Sequence, residues 1–182
     1  METNSLKWTR LQNEIFNYLC IKAGNSVNQN EIANALNVSP SAISKALKIF
    51  TKDELIIYKK SSRMNLISIE LNRDNQIVIP LKRIQNLKSL YESGIVKLLE
   101  HQFPGTQIIL FGSYSYGTDT LGSDIDIAII GSKTKELKLE QFEKLFEREI
   151  ILQFYDSLQS IHKNLKNSLL NGVILKGVIE YE

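Results

Sequence analysis

The sequence predicts an α+β chain in two parts: a small helical module ending in a β-hairpin, then a mixed-sheet module. Three observations predict it. Apolar residues recur at three- and four-residue spacing through residues 6–50, the period of an amphipathic helix. Residues 56–71 and 107–130 instead carry short apolar or alternating runs, the pattern of strands. Between the two patterns lies the turn-rich break Asn72-Arg73-Asp74-Asn75. The domains expected are therefore 1–72, a helical connector at 73–104 packed with the second domain, and 105–182.

Composition narrows the function classes. Of 182 residues, 43% are hydrophobic and 23% charged, which excludes a wholly disordered chain. No apolar run approaches the ~18 residues of a membrane helix, so no membrane partner is expected. The opening METNSLKWTR lacks the basic-then-apolar pattern of a secretory signal, and a cytoplasmic location is expected. Cys20 is the one cysteine, which rules out an intramolecular disulfide and a cysteine-based zinc site. Net charge is +2, unevenly spread. Residues 1–71 hold nine Lys/Arg against six Asp/Glu, and residues 72–182 hold thirteen against fourteen. A basic front half points to a polyanion.

In that front half, Trp8, Leu11, Ile15, Tyr18 and Leu19 form the stripe of a helix running from Leu6 to Lys22, closed by Gly24. Asn28 with Glu31 three residues on has the form of a capping box, opening a short helix that Asn37 ends. Ser39-Pro40 opens a third helix, whose stripe is Ile43, Leu47 and Phe50. Its opposite face carries Ser41, Ser44, Lys45 and Lys48. Two strands follow, joined by the basic tip Lys59-Lys60-Ser61-Ser62-Arg63. Three helices and such a hairpin resemble the winged helix-turn-helix family over residues 5–71. The resemblance implies double-stranded DNA as partner and a homodimer as the binding form. It directs Ser41, Ser44, Lys45 and Lys48 at bases or phosphates, and Lys59, Lys60 and Arg63 at phosphates. Cations there would release condensed counterions. A solvated face that serves protein contacts is the other reading.

The second half carries the chemistry. Leu81, Ile84, Leu87, Leu90 and Tyr91 predict a helix interrupted at Ser93-Gly94, and Ile95, Leu98, Leu99 and Phe103 predict another. Gln107 to Phe111 then reads as a buried strand leading into Gly112-Ser113. Ten residues later Asp124-Ile125-Asp126 opens a second strand. Two carboxylates two positions apart project from the same strand face, their Cα atoms about 6.6 Å apart. Such a pair suits a hard divalent cation that also takes phosphate oxygens. Gly112 admits a phosphate close to the backbone, and Ser113 is placed to cap the next helical turn and to meet an anion.

Gly112-Ser113 followed by Asp124-Ile125-Asp126 resembles the signature of the DNA polymerase beta-like nucleotidyltransferase superfamily, most of all its minimal members in archaea and bacteria. With a winged helix ahead of it, the layout is similar to archaeal nucleotidyltransferase-domain proteins. The resemblance implies a small α/β sheet, Mg²⁺ or Mn²⁺, and an NTP donor of NMP to an acceptor. It assigns Asp124 and Asp126 to metal binding and catalysis, and Gly112, Ser113 and Ser123 to the nucleotide.

One position departs from the pattern. The superfamily adds a third carboxylate from a later strand, and aligned on Arg148 that residue falls on Ile151. Strand alternation sets Glu149, Ile151 and Gln153 on one face, so Glu149 is the catalytic substitute expected, ahead of Asp156. Loss of the third carboxylate opens a second reading: a DNA-binding regulator whose second domain only binds nucleotide. A third follows from the resemblance, since minimal nucleotidyltransferases pair with helical toxins and modify a toxin side chain. A protein acceptor or toxin partner is thus within its scope, although toxin-linked members carry Arg where this chain has Tyr116. Toward the end, Leu158 to Leu170 predicts a helix and Val173-Ile174-Leu175 a closing strand.

Overall fold

A computed structural model describes residues 7–60 and 67–178. The chain divides into two compact units, Met1–Val78 and Ile79–Glu182.

In the first unit the helix caps do what their sequences dictate. Helix α1 (Arg10–Ile21) starts at a Thr9–Gln12 capping box, later than the apolar periodicity suggested, because Thr9 satisfies the orphan N–H of Gln12. Asn28 and Glu31 cap α2 (Gln29–Leu36) reciprocally, and Asn37 ends it in the left-handed region at φ 53°. Ser39 caps α3 (Pro40–Lys52). Ile15, Phe16, Leu19, Ile32, Ile43, Leu47 and Phe50 form the core, with Cys20 among them. Trp8 closes it against Phe16 and Phe50 at ring separations of 4.8 and 5.1 Å.

Strands β1 (Ile56–Lys60) and β2 (Ile67–Leu71) pair antiparallel, Tyr58 opposite Ile69. Val27 bridges to Ile69 through both backbone groups, which stitches the segment before α2 to the hairpin. The break at 72–75 belongs to this unit. Asn72 and Asn75 donate side-chain hydrogen bonds to the Glu54 carbonyl at 2.7 and 3.1 Å.

The second unit is a four-stranded mixed sheet in the order β5-β4-β3-β6. Strand β3 (Gln107–Phe111) runs antiparallel to β4 (Ile125–Ile130) and to β6 (Val173–Lys176), while β4 and β5 (Ile150–Tyr155) are parallel. On one face Ile108, Leu110, Ile125, Ile127, Ile129 and Ile150 pack with residues of α4 (Val78–Ser93), α5 (Ile95–Gln102) and α7 (Glu140–Phe146). On the other, Ile109, Phe111, Ala128 and Ile130 meet Leu158, Ile161 and Leu169. A fully buried isoleucine contributes about 1.5–3 kcal/mol, so the central strands fix the sheet strongly. Residues 79–103 thus supply core: Leu90, Ile95, Leu99 and Phe103 are buried in this unit.

Three sequence expectations need correction. The buried stripe of α4 is Lys82, Asn86 and Leu90, whereas Ile84 and Tyr91 are 63% and 52% exposed. The helix expected at 158–170 spans only α8 (Lys163–Leu170), with His162 as its N-cap. Ser157 and Ser160 tie the preceding residues into a turn instead, a local side-chain alternative to helix. Ser113 does not cap a turn. It lies inside α6 (Gly112–Tyr116), whose N-cap is Phe111.

Candidate functional site

Strand β3 ends at Phe111, paired with Asp126 of β4, so Asp126 stands beside the point where the chain turns into α6. Gly112 makes that turn at φ 70°, in the left-handed region that side chains avoid. A Cβ at position 112 would run into the Asp126 carboxylate, whose Cγ would be 3.3 Å away. Gly112 is therefore required twice, for its backbone conformation and for the space Asp126 occupies.

Asp124 is exposed, just ahead of β4, and Asp126 is partly buried. Burial first, and the neighbouring Asp124 charge second, raise the Asp126 carboxyl above the usual range. A divalent cation between the two carboxylates would remove both penalties, and an all-oxygen donor pair suits Mg²⁺ or Mn²⁺. The residues present thus fit such an ion. Among the described residues no group of three or more His, Cys, Asp or Glu converges on a metal position, so remaining ligands would come from substrate or water.

Ser113 lies one residue into α6, and its carbonyl takes the Thr118 N–H at 3.1 Å. Ser123 accepts the Thr120 N–H at 3.0 Å and closes the turn that delivers Asp124, so its hydroxyl shapes the loop. Glu149 is exposed and precedes β5, and its carbonyl receives the Ile125 N–H at 2.9 Å. The strand position in register with Asp126 is Ile151. Gln153 lies opposite Ala128 and accepts a hydrogen bond from the Tyr155 hydroxyl at 2.6 Å. Asp156 is exposed beyond the end of β5.

The same unit holds a buried ionic cluster that sequence reasoning missed. Asp119, in the loop between α6 and β4, is fully buried. Lys82 and Arg148 both pair with it, Arg148 at 2.8 Å, and Asn86 donates to it at 2.7 Å. Asn86 also donates to the Tyr114 carbonyl at 2.9 Å. In the sequence, Lys82 and Asn86 lie four residues apart on one helix face, and nothing near them marks Asp119 or Arg148 as their partners.

In the first unit Ser41, Ser44, Lys45 and Lys48 are all exposed along α3. Lys59 is held by Glu70 at 2.6 Å, which leaves part of its charge neutralised. Glu70 in turn takes the Ser26 hydroxyl, and the Lys59 bond followed by the Ser26 bond pulls its carboxyl below the usual range. The Lys60 side chain and Arg63 lie outside the described residues.

The Gly112-Ser113 bend thus stands against Asp126 on the adjacent strand, with Asp124 just ahead of that strand. In comparison with known proteins, residues 92–175 match the family model described as nucleotidyltransferase domain. Over 49 residues it is 49% identical to the protein adenylyltransferase MntA of Shewanella oneidensis. That match covers 26% of this chain and 35% of the relative, so it spans about a third of the relative's length. Among solved structures, a ZitR variant from Lactococcus lactis is 22% identical with a TM-score of 0.43, over 54% of this chain and 64% of that one. The adhesin competence repressor AdcR of Streptococcus pyogenes is 20% identical with a TM-score of 0.44, over 57% and 72%. These two are too distant to inform function. No helix among the described residues is long and apolar enough to cross a membrane.

Proposed function

We propose that this chain is a Mg²⁺-dependent nucleotidyltransferase that moves NMP from an NTP to an acceptor, with a winged helix-turn-helix at its front that binds double-stranded DNA. In the transfer the acceptor bonds to the α-phosphorus as the bond from that phosphorus to the β-phosphate oxygen breaks and pyrophosphate leaves. The observation that carries the first part is the seating of Asp126 against Gly112, with the Asp124 carboxylate, two residues earlier, close enough to act on it electrostatically. Asp124 and Asp126 would hold the ion, which when bound neutralises phosphate charge and orients the α-phosphorus. Gly112 lets phosphate oxygens reach the backbone, and the Ser113 hydroxyl donates to them. Glu149 is the carboxylate proposed to take the proton of the acceptor hydroxyl. The Shewanella relative, a protein adenylyltransferase by name, supports AMP as the group transferred and a protein as its acceptor.

The test is transfer of label from α-labelled ATP, then from the other NTPs, in the presence of Mg²⁺ or Mn²⁺. Transfer that disappears in Asp124→Ala/Asp126→Ala supports the reading. Transfer undiminished in that double variant refutes it.

Ile151, in register with Asp126 where a third carboxylate would complete the cage, favours a second reading. In it, the chain is a DNA-binding regulator or antitoxin whose second domain binds nucleotide without turning it over. The exposed Ser41, Ser44, Lys45 and Lys48 support duplex binding in both readings.

A further inference from the structure

The buried cluster around Asp119 joins chain segments far apart in sequence at one point. Lys82 and Asn86 come from α4, Asp119 from the loop after α6, and Arg148 from the residue before Glu149. The side chains of Lys82 and Asp119 are 0% exposed and that of Arg148 is 1%. The Lys82 ammonium and Arg148 guanidinium both lie over the Tyr114 ring, at 5.9 and 5.8 Å from its centroid.

Stability alone does not account for such a cluster. Taking three charged groups out of water is costly, and well-packed apolar residues of similar volume generally fold as well or better. What the ionic version adds is direction, because each bond fixes a donor against an acceptor. The segment from Gly112 to Asp124 is held to α4 at three places. Tyr114 is held through Asn86, Asp119 through Lys82, and Gly117 by close backbone contact. A Cβ at Gly117 would stand only 2.6 Å from the Ile79 carbonyl oxygen and 2.7 Å from the Arg83 nitrogen. From Asp119 the chain passes directly into the Ser123-closed turn and Asp124. Arg148 leads directly into Glu149, whose carbonyl holds the Ile125 N–H between Asp124 and Asp126.

We propose that Asp119, gripped by Lys82 and Arg148, is a positioning residue for the nucleotide site: it sets where Asp124 stands relative to Gly112-Ser113. The role rests on the nucleotidyltransferase reading and adds to it the residues that hold its metal ligand in place. Misplacement of a reacting group by about 1 Å costs up to about 100-fold, so a clamp of this kind has a measurable consequence.

The experiment compares wild type with Lys82→Met/Asp119→Leu/Arg148→Met, reading melting temperature and affinity for a fluorescent ATP analogue with Mg²⁺. The triple variant is expected to melt as high as wild type yet bind the analogue about tenfold more weakly or worse. A triple variant that melts and binds like wild type overturns the proposal. If the triple variant does not fold, Lys82→Met decides by the same comparison, since it leaves Asp119 paired with Arg148 and Asn86. Lys82→Arg, which restores a cation to the pair, is expected to recover the affinity that Lys82→Met loses. Wild type that takes up no analogue at all refutes the nucleotide site itself, and the clamp with it.

Discussion

The carboxylate of Asp126 occupies the space that a side chain at Gly112 would need. The strand end that turns into α6 and the acidic strand start are therefore fitted to one another, and neither can be altered alone. Gly112→Ala would force a side chain into φ 70°, costing about 1–2 kcal/mol, and would push Asp126 aside. The expected outcome is a folded protein with a lowered melting temperature and no Mg²⁺-dependent nucleotide uptake. Retained uptake would show that Asp126 is not seated at the nucleotide.

Asp126 sets a pH dependence whose sign is fixed by its environment. Burial and Asp124 raise its folded-state pKa, so the folded protein holds this proton more tightly than the unfolded chain. The contribution of Asp126 to stability therefore falls as pH rises from the unfolded-state value, about 3.9, through the raised folded-state value. Asp126→Asn removes that loss. Without divalent cation it is expected to melt above wild type by a gap that opens between acidic and neutral pH. Added Mg²⁺ should narrow the gap by stabilising wild type alone.

Ile151 is the residue in register with Asp126 on the neighbouring strand. Ile151→Asp supplies a carboxylate there and is expected to raise transfer from ATP on the order of tenfold or more. An unchanged rate would locate the rate-limiting deficit elsewhere. Transfer seen only in the variant would favour the regulator reading of the natural chain.

The front module yields a prediction of opposite signs. Lys45→Ala and Lys48→Ala each remove an exposed α3 cation and should flatten the salt dependence of duplex binding by about 0.9 in log–log slope. Glu70→Gln releases Lys59 and should tighten binding at low salt with a steeper slope. Electrophoretic or anisotropy titrations across salt concentrations check both. Equal slopes for all four proteins would place these residues outside the DNA contact.

How far the sequence reached depended on whether signals were local. The Asn28–Glu31 box and the Ser39-Pro40 start were legible because a cap is read within four residues. The turn at Gly112 and the strand start at Asp126 were legible because a short apolar run marks each of the two strands. Helix α4 and its end at Ser93 were legible, but its buried face was not, for a physical reason. Its buried face carries Lys82 and Asn86, whose partner Asp119 is 37 and 33 residues away, while Ile84 and Tyr91 face outward. Hydrophobic periodicity is blind to a buried face made polar by distant pairing. The turn at 157–160 was missed likewise, since serine hydroxyls hold it where Leu158 and Ile161 suggested helix.

The central claim is that Asp124 and Asp126, with the Gly112-Ser113 bend, bind a cation-held triphosphate. Calorimetric titration of a non-hydrolysable ATP analogue, with and without Mg²⁺, tests it most directly. Mg²⁺-dependent binding to wild type, abolished in Asp124→Ala/Asp126→Ala at an undiminished melting temperature, is the predicted result. Binding that ignores Mg²⁺, or survives in the folded double variant, would contradict it.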